Sequence, residues 1–255
     1  MIWKFLNTGF RSGAFNMEFD KNLASQFHDM NDLPIIRLYG WHPYAVSIGH
    51  NQSMEDFDLH AISSAHYDIV RRPTGGKAIL HAHELTYSVI LPLERMSPRA
   101  WYHFIHERLL QGLEFLGVHA ELSEGDPNFR ELYRDPTSIP CFSSSAKYEI
   151  QYDGRKLVGS AQRRFGNVIL QHGSLLLGPQ HRRITDFLAP HAHESKESIE
   201  NVLQEHTIDA ETILGRTVSF AEAAEAVRRG FQEDDNSPIE EITADDLHIS
   251  PEHLY

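Results

Sequence analysis

Between residues 34 and 177 the chain alternates segments rich in β-branched and aromatic residues with turns that contain glycine or proline. The first kind of segment favours the pleated backbone of a strand, and Gly and Pro mark the turns. Strands are predicted at 34–41, 44–49, 67–72, 77–81, 84–91, 147–152, 155–158 and 167–177. Asp153-Gly154, between two of these segments, predicts a tight hairpin. So many short strands require a sheet.

Helical patterns accompany these strands. Phe15, Phe19, Leu23 and Phe27 recur every four residues, which predicts a helix over 14–30 with one apolar face. Ser97-Pro98 and Gly117 are the start and stop signals of a second helix over 97–116. Further helices are predicted at 184–188, 195–205 and 220–231. The expected fold class is α+β, with a mixed or antiparallel central sheet flanked by helices.

Length, charge and cysteine content limit the domain organisation, the partners and the location that we expect for the chain. The chain has 255 residues, and we expect one catalytic domain over 1–232 followed by an acidic tail over 233–255. No apolar run approaches the roughly 20 residues that a membrane span needs. A net charge of -13 argues against a nucleic-acid partner. The single cysteine excludes an internal disulfide and a cysteine-built zinc site, and a reducing, cytoplasmic location fits best.

Cys141 and Lys156 are the candidates for acyl-transfer chemistry. A lone cysteine is most often a small buried hydrophobic residue, but Cys141 lies in a loop predicted over 124–145, and loops often carry reactive groups. A nearby ammonium such as Lys156 can lower the pKa of a thiol. The small residues after Lys156, namely Gly159, Ser160 and Ala161, leave room for a ligand or, alternatively, mark a bend in the strand.

A glycine turn with flanking cations forms a second candidate site. Arg71 and Arg72 precede Thr74-Gly75-Gly76, and Lys77-Ala78 follows it. The spacing differs from that of a phosphate-binding P-loop. Two interpretations stay open, a hairpin turn between strands and a set of amides and cations that holds a negative group.

The 17 histidines do not define a metal site. His81 and His83, like His191 and His193, have the spacing that places two rings on one face of a strand. No third ligand accompanies either pair, and we predict no bound metal.

Several runs occur together and in order: 13–17, 37–43, 47–52, 71–88, 156–162 and 171–174. Jointly they resemble the lipoate and octanoate protein ligase and transferase family, whose catalytic fold is shared with biotin protein ligases. The resemblance implies substrate-binding roles within these runs. The expected residues are Arg71, Arg72, Gly75, Gly76, Lys77, Ala78, His81, Gly159, Ser160, Ala161, His172 and Gly173.

Within this family the sequence is closest to the cysteine-dependent octanoyltransferases. The string Glu84 to Ser88, the Cys141-Phe142 pair and the short C-terminus resemble that branch. Lys77 and Ala82 stand where ATP-dependent ligases usually have glycine and aspartate, which weakens the case for adenylate chemistry. The resemblance implies that Cys141 carries the acyl group and that Lys156 is its partner.

The function expected from this resemblance is octanoyl transfer from octanoyl-acyl carrier protein to a lysine of a lipoyl domain or of a glycine-cleavage H protein. No cofactor is expected. The first alternative is an ATP- and Mg-dependent lipoate ligase that uses the cations and Lys156 on an adenylate. The others are an amidotransferase between carrier proteins and a non-catalytic carrier-binding protein.

Overall fold

The structure is a computed structural model of the chain, and it describes residues 2–27, 33–123, 149–190, 196–232 and 239–247. Its main element is a mixed sheet of eight described strands, which are β1 (Trp3–Arg11), β2 (Ile35–Trp41), β6 (Glu84–Pro92), β7 (Glu121–Leu122), β8 (Ile150–Tyr152), β9 (Arg155–Phe165), β10 (Val168–Leu176) and β11 (Ile239–Glu241). β1 pairs in parallel with β2 and β11, and the other neighbours are antiparallel. Across the sheet the strands follow the order β11-β1-β2-β6-β10-β9-β8-β7.

A smaller sheet packs beside the first. It contains β3 (Ala45–Ile48), β4 (Asp68–Arg71) and β5 (Ile79–His81) in the order β4-β3-β5. β3 is central, parallel to β4 and antiparallel to β5. The glycine turn therefore joins two strands that flank β3 and do not pair with each other. The hairpin interpretation of this turn is wrong, because both neighbouring strands use β3 as their partner.

The described helices are α1 (Gly13–Gln26), α2 (Leu59–Ser64), α3 (Pro98–Leu116), α4 (Lys196–His206), α5 (Ala210–Leu214) and α6 (Phe220–Gly230). α3 confirms its sequence signals: the Ser97 side chain accepts a hydrogen bond from the amide of Ala100, and Gly117 ends the helix with φ 87°. The predicted helix at 184–188 is instead part of a 3-10 segment, Pro179–Phe187. Five described elements were not predicted from the sequence: β1, β7, β11, α2 and α5.

Helices cover both faces of the large sheet. Along β6, Val89 and Leu91 face the core beneath α3, whereas Ile90 joins the core beneath α1. Successive strand residues point to opposite faces, so both sets are buried and β6 has no exposed residue. α3 and α6 approach closely because Gly112 and Gly230 carry no side chain there; a Cβ on Gly230 would lie 2.3 Å from the carbonyl oxygen of Arg108. The predicted fold class is confirmed.

The described part of the acidic tail contributes to the sheet. β11 pairs with β1 from Trp3↔Ile239 to Phe5↔Glu241. After it, Ile242, Ala244 and Leu247 pack against the core beneath α1. Apolar residues alternating with the acidic ones let this segment add an edge strand while its carboxylates stay in water. No helix in the described ranges is both long and apolar enough to cross a bilayer.

Candidate active site

A pocket lies between the large sheet and the small sheet. We call it the acyl pocket, after the ligand that the family resemblance predicts. β2, β6, β9 and β10 form its floor, and α1, β3, β5 and Arg72 form its other wall. It is lined by Met17, Tyr39, Trp41, Ser47, Arg72, Ile79, His81, Thr86, Gly159, Ser160, Ala161, His172, Gly173 and Ser174.

Small residues on β9 and β10 leave room for this pocket. In the register of these strands Gly159 faces Ser174, Ser160 faces Gly173 and Ala161 faces His172. A Cβ on Gly173 would lie 2.5 Å from the carbonyl oxygen of Gly159 and 2.7 Å from a ring carbon of Tyr87. Larger side chains at these positions would push the strands apart or fill the cavity.

His81 lies in the pocket wall, within hydrogen-bond distance of Ser47, Glu84 and Ser174. Its Nδ1 is 2.9 Å from Oε1 of Glu84, and its Nε2 is 2.7 Å from the hydroxyl of Ser47. The ring also stacks on Trp41 with centroids 3.9 Å apart. Burial acts to raise the pKa of Glu84, but His81 and nearby hydroxyl donors outweigh it and bring that pKa below its ordinary value. Glu84 is therefore a carboxylate, and it accepts the Nδ1 proton of His81.

Asp20 of α1 anchors a second polar cluster beneath the pocket. Its carboxylate accepts hydrogen bonds from Arg37 at 2.7 Å, from the Tyr39 hydroxyl at 3.0 Å and from the Ser88 hydroxyl at 2.8 Å. Burial opposes the charge of Asp20, but Arg37 and His172 more than compensate, and the net pKa is lowered. This cluster attaches α1 to the floor of the pocket.

His172 connects this cluster to the glycine turn. Its Nε2 is 2.5 Å from the hydroxyl of Thr74, and its Nδ1 faces Asp20 at 3.8 Å. Burial lowers the pKa of His172 despite the nearby carboxylate, so the ring is neutral at pH 7. With the proton of the ring on Nδ1 toward Asp20, the Thr74 hydroxyl donates to Nε2.

The two arginines of the glycine turn shape the backbone around it. Arg72 donates to the carbonyls of Gly75 at 2.9 Å and Lys77 at 2.6 Å, and to the Ser47 hydroxyl at 3.2 Å. The exposed Arg71 donates to three carbonyls in the segment after β3, at Gly49, His50 and Gln52. Contacts of this kind fix the conformation of the turn, and anion binding by the same groups stays a prediction.

A directed chain of hydrogen bonds ends at Ser160. Nδ1 of His106 is 2.6 Å from the carbonyl of Tyr102, so this nitrogen is the donor and Nε2 accepts from the Ser160 hydroxyl at 2.9 Å. Ser160 in turn accepts from the hydroxyl of Tyr87 at 2.8 Å. Burial lowers the pKa of His106 to about 4, and the charge of Lys156 contributes to this shift. His106 is therefore neutral at pH 7.

Lys156 forms a buried ion pair with Glu149. Nζ lies 2.7 Å from Oε1, and both side chains are 6% exposed. The backbone of Lys156 is held by the amide of Ile208 at 3.0 Å. Among the described residues, Lys156 does not contribute to the lining of the acyl pocket. Cys141, the other predicted catalytic residue, lies outside the described residues.

The acyl pocket gathers part of the predicted site. Seven predicted residues line it: Arg72, His81, Gly159, Ser160, Ala161, His172 and Gly173. Arg71, Gly75, Gly76, Lys77 and Ala78 lie in or beside the glycine turn without lining the pocket. The sequence analysis missed Met17, Tyr39, Trp41, Ser47, Ile79, Thr86 and Ser174. All seven lie within the runs that carried the family resemblance, but nothing in the sequence distinguished them from core residues.

The arrangement suits an acyl ligand. Polar groups in its walls are largely hydrogen-bonded to one another, which leaves rings and aliphatic groups such as Trp41, Ile79 and Met17 for contact with a chain. No group of three or more potential metal-ligating side chains occurs within the described ranges. His81 and His83 do not converge: the former contacts Glu84 and the latter Glu211 at 3.0 Å.

The family profile "Lipoyl protein ligase A/B catalytic domain" matches residues 12–232. The chain is 37% identical over 251 residues to octanoyltransferase LipM of Kyrpidia tusciae, covering 96% of this chain and 92% of that protein. It is 41% identical over 233 residues to octanoyltransferase LipM of Symbiobacterium thermophilum, covering 90% and 85%.

Solved structures share the fold. The bipartite lipoate protein ligase of Thermoplasma acidophilum superimposes with a TM-score of 0.75 at 20% identity, over 95% of this chain and 87% of the other. A lipoate-protein ligase A bound with ATP gives a TM-score of 0.75 at 22% identity, over 95% and 89%. The profile match and the curated relatives together establish that this chain belongs to the lipoyl protein ligase A/B catalytic domain family and is an acyltransferase.

Proposed function

We propose that this enzyme transfers an octanoyl group from octanoyl-acyl carrier protein to a lysine of a lipoyl domain or of a glycine-cleavage H protein, as a step in lipoate biosynthesis. The relatives named octanoyltransferase, matched over nine-tenths of the chain, carry the proposal. An apolar-lined pocket bounded by small strand residues supports it, because a medium acyl chain needs such a cavity. Each buried methylene contributes about 0.8 kcal/mol to binding.

The donor is already a thioester, so transfer to another thiol is close to thermoneutral and requires no ATP. In the proposed first step the Cys141 thiolate attacks the octanoyl carbonyl, the carbon–sulfur bond of the donor breaks, and the carrier leaves as a thiolate. In the second step the acceptor lysine amine attacks the new thioester, which forms an amide and releases Cys141. The proposal thus has an acyl-enzyme intermediate and no cofactor.

Lys156 is the proposed partner of Cys141. An ammonium beside the thiol favours the thiolate, and the same amine can take part in moving the proton of the attacking lysine. Its buried pairing with Glu149 supports this proposal, because the pair holds a positive charge at a fixed place on β9.

The first test combines the purified protein with octanoyl-acyl carrier protein, without ATP, and records its intact mass. We expect a hydroxylamine-labile octanoyl adduct in the wild type and no adduct in Cys141→Ala or Cys141→Ser. Addition of a lipoyl domain should discharge the wild-type adduct. A fully active Cys141→Ser variant would exclude the covalent route.

The fold is shared with a ligase that binds ATP, so the same assay includes a ligase arm. Acyl-adenylate formation from ATP and free octanoate or lipoate, without an adduct from the thioester donor, would assign the chain to the ligases. An adduct that forms only from an octanoylated carrier protein with an amide linkage would assign it to the amidotransferases.

A further inference from the structure

Ser47, His81 and Glu84 form a linear hydrogen-bonded triad in the wall of the acyl pocket. The Ser47 hydroxyl is 2.7 Å from Nε2 of His81, and Nδ1 of the same ring is 2.9 Å from Oε1 of Glu84. These residues come from β3, the end of β5 and the start of β6. Their order is nucleophile, base and orienting carboxylate, which is the order that activates a serine in acyl hydrolases.

The direction of each hydrogen bond follows from its partners. The carboxylate of Glu84 only accepts, so Nδ1 of His81 is the donor. When the ring carries only this proton, Nε2 is the acceptor and the Ser47 hydroxyl donates to it. The hydroxyl proton of Ser47 therefore points at a base. A buried serine with a purely structural role commonly donates to a backbone carbonyl instead.

Two further contacts support a reactive serine. A guanidinium nitrogen of Arg72 lies 3.2 Å from Oγ of Ser47, where its positive charge favours loss of the hydroxyl proton. Trp41 stacks on the His81 ring at 3.9 Å and holds it in plane, since the indole nitrogen of Trp41 is itself bonded to Thr86 at 2.7 Å. Ser47 and His81 are buried and both line the acyl pocket, which is where the proposal places the acyl group.

We propose that Ser47, His81 and Glu84 are a second catalytic centre, which hydrolyses medium-chain acyl thioesters and esters bound in the acyl pocket. This inference rests on the proposed function only in taking a medium-chain acyl group as the ligand of that pocket. Cys141 and the acceptor protein take no part in it.

The reaction balances with water as the co-reactant. Oγ of Ser47 attacks the acyl carbonyl and its proton passes to Nε2 of His81. The carbon–sulfur bond breaks, and the thiol leaves with that proton. Water then attacks the seryl ester, again with His81 as base, and releases the carboxylic acid and the free hydroxyl of Ser47.

The first experiment measures hydrolysis in the Cys141→Ala background, which removes the single cysteine of the chain. The probes are octanoyl-acyl carrier protein and p-nitrophenyl octanoate, without an acceptor. We expect steady release of octanoate, reduced at least about 100-fold by Ser47→Ala and by Glu84→Gln. Ser64→Ala is the control, because this serine is exposed at the end of α2 and does not line the pocket.

A second measurement needs no variant and covers the case in which Ser47→Ala does not fold. Wild-type protein is treated with an octyl fluorophosphonate, which loses fluoride as Oγ of an activated serine bonds to phosphorus. Peptide mass spectrometry should find the phosphonyl group on Ser47. An unlabelled Ser47, or hydrolysis that survives Ser47→Ala unchanged, overturns the second centre.

These outcomes separate the two proposals. Absence of octanoate release in the Cys141→Ala background, with intact adduct formation at Cys141 in the wild type, would reject the second centre alone. Hydrolysis that depends on Ser47, without any adduct at Cys141 in the wild type, would reject the proposed transfer and retain the second centre.

Discussion

At the scale of single residues, Lys156 was predicted from the sequence, but its ion-pair partner Glu149 was not. Lys156 was singled out by the small residues after it and by the family resemblance. Glu149 precedes β8 by one residue and belongs to no motif, yet its carboxylate lies 2.7 Å from the lysine Nζ. Two buried charges are tolerated here because each offsets the desolvation cost of the other.

Replacement of Glu149 by Gln tests this pair. The substitution keeps the side-chain shape but removes the negative charge, so we expect the free energy of unfolding to fall by about 3 kcal/mol. Urea unfolding at pH 7 measures it, and Glu121→Gln serves as control because Glu121 is exposed on β7. Equal stability of Glu149→Gln and the wild type would contradict a stabilising ion pair.

At the scale of elements, hydrogen bonds to neighbouring residues fix the conformation of the glycine turn between β4 and β5. Thr74 is bonded to His172 of the large sheet, and Arg72 holds two carbonyls of the turn region. Gly76 has φ 91°, a conformation that favours glycine. Gly49, after β3, packs so closely that a Cβ there would lie 1.9 Å from the carbonyl oxygen of Gly76.

Gly49→Ala and Gly75→Ala form a matched pair for this contact. We expect Gly49→Ala to displace the turn and to lower the free energy of unfolding by roughly 2 kcal/mol, through overpacking against backbone. Gly75→Ala should retain wild-type stability, because no atom lies within 4 Å of a Cβ at that position. Thermal unfolding followed by circular dichroism compares them, and similar losses in both variants would show that the close approach to Gly76 is not the cause.

For the whole molecule, buried neutral histidines make stability depend on pH. Burial lowers the pKa of His106 to about 4 and that of His181 to about 3, and it also lowers the pKa of His172. The unfolded chain binds protons at these residues near pH 6.5, whereas the folded chain does not. The contribution of these histidines to the free energy of unfolding is therefore complete above pH 6.5 and is lost as the pH falls toward about 4.

The expected loss from His106 alone is roughly 3 kcal/mol between pH 6.5 and about 4, because each pKa unit corresponds to about 1.4 kcal/mol. Urea unfolding at a series of pH values measures the slope. His106→Gln should reduce this slope by about one proton, whereas His60→Gln, at an exposed position in α2, should leave it unchanged. An unchanged slope in His106→Gln would indicate that the ring is already protonated in the folded protein.

Local sequence determined most elements of this fold. The serine cap and terminal glycine of α3, the Asp153-Gly154 hairpin and the apolar repeat of α1 act over a few residues, so their signals are readable in order along the chain. Family resemblance added the order of the motifs and the identity of Cys141 and Lys156 as candidates. Short elements such as α2 and α5 carry too few periodic residues to be recognised.

Only the tertiary structure decided which residues share the acyl pocket. β6 pairs with β2 and β10, and the small sheet closes over them, so residues as distant in sequence as Ser47 and Ser174 line one cavity. The direction of a hydrogen bond, the neutrality of His172 and the partner of Lys156 depend on burial and on atoms brought together by folding. These are through-space interactions, and no local pattern in the chain encodes them.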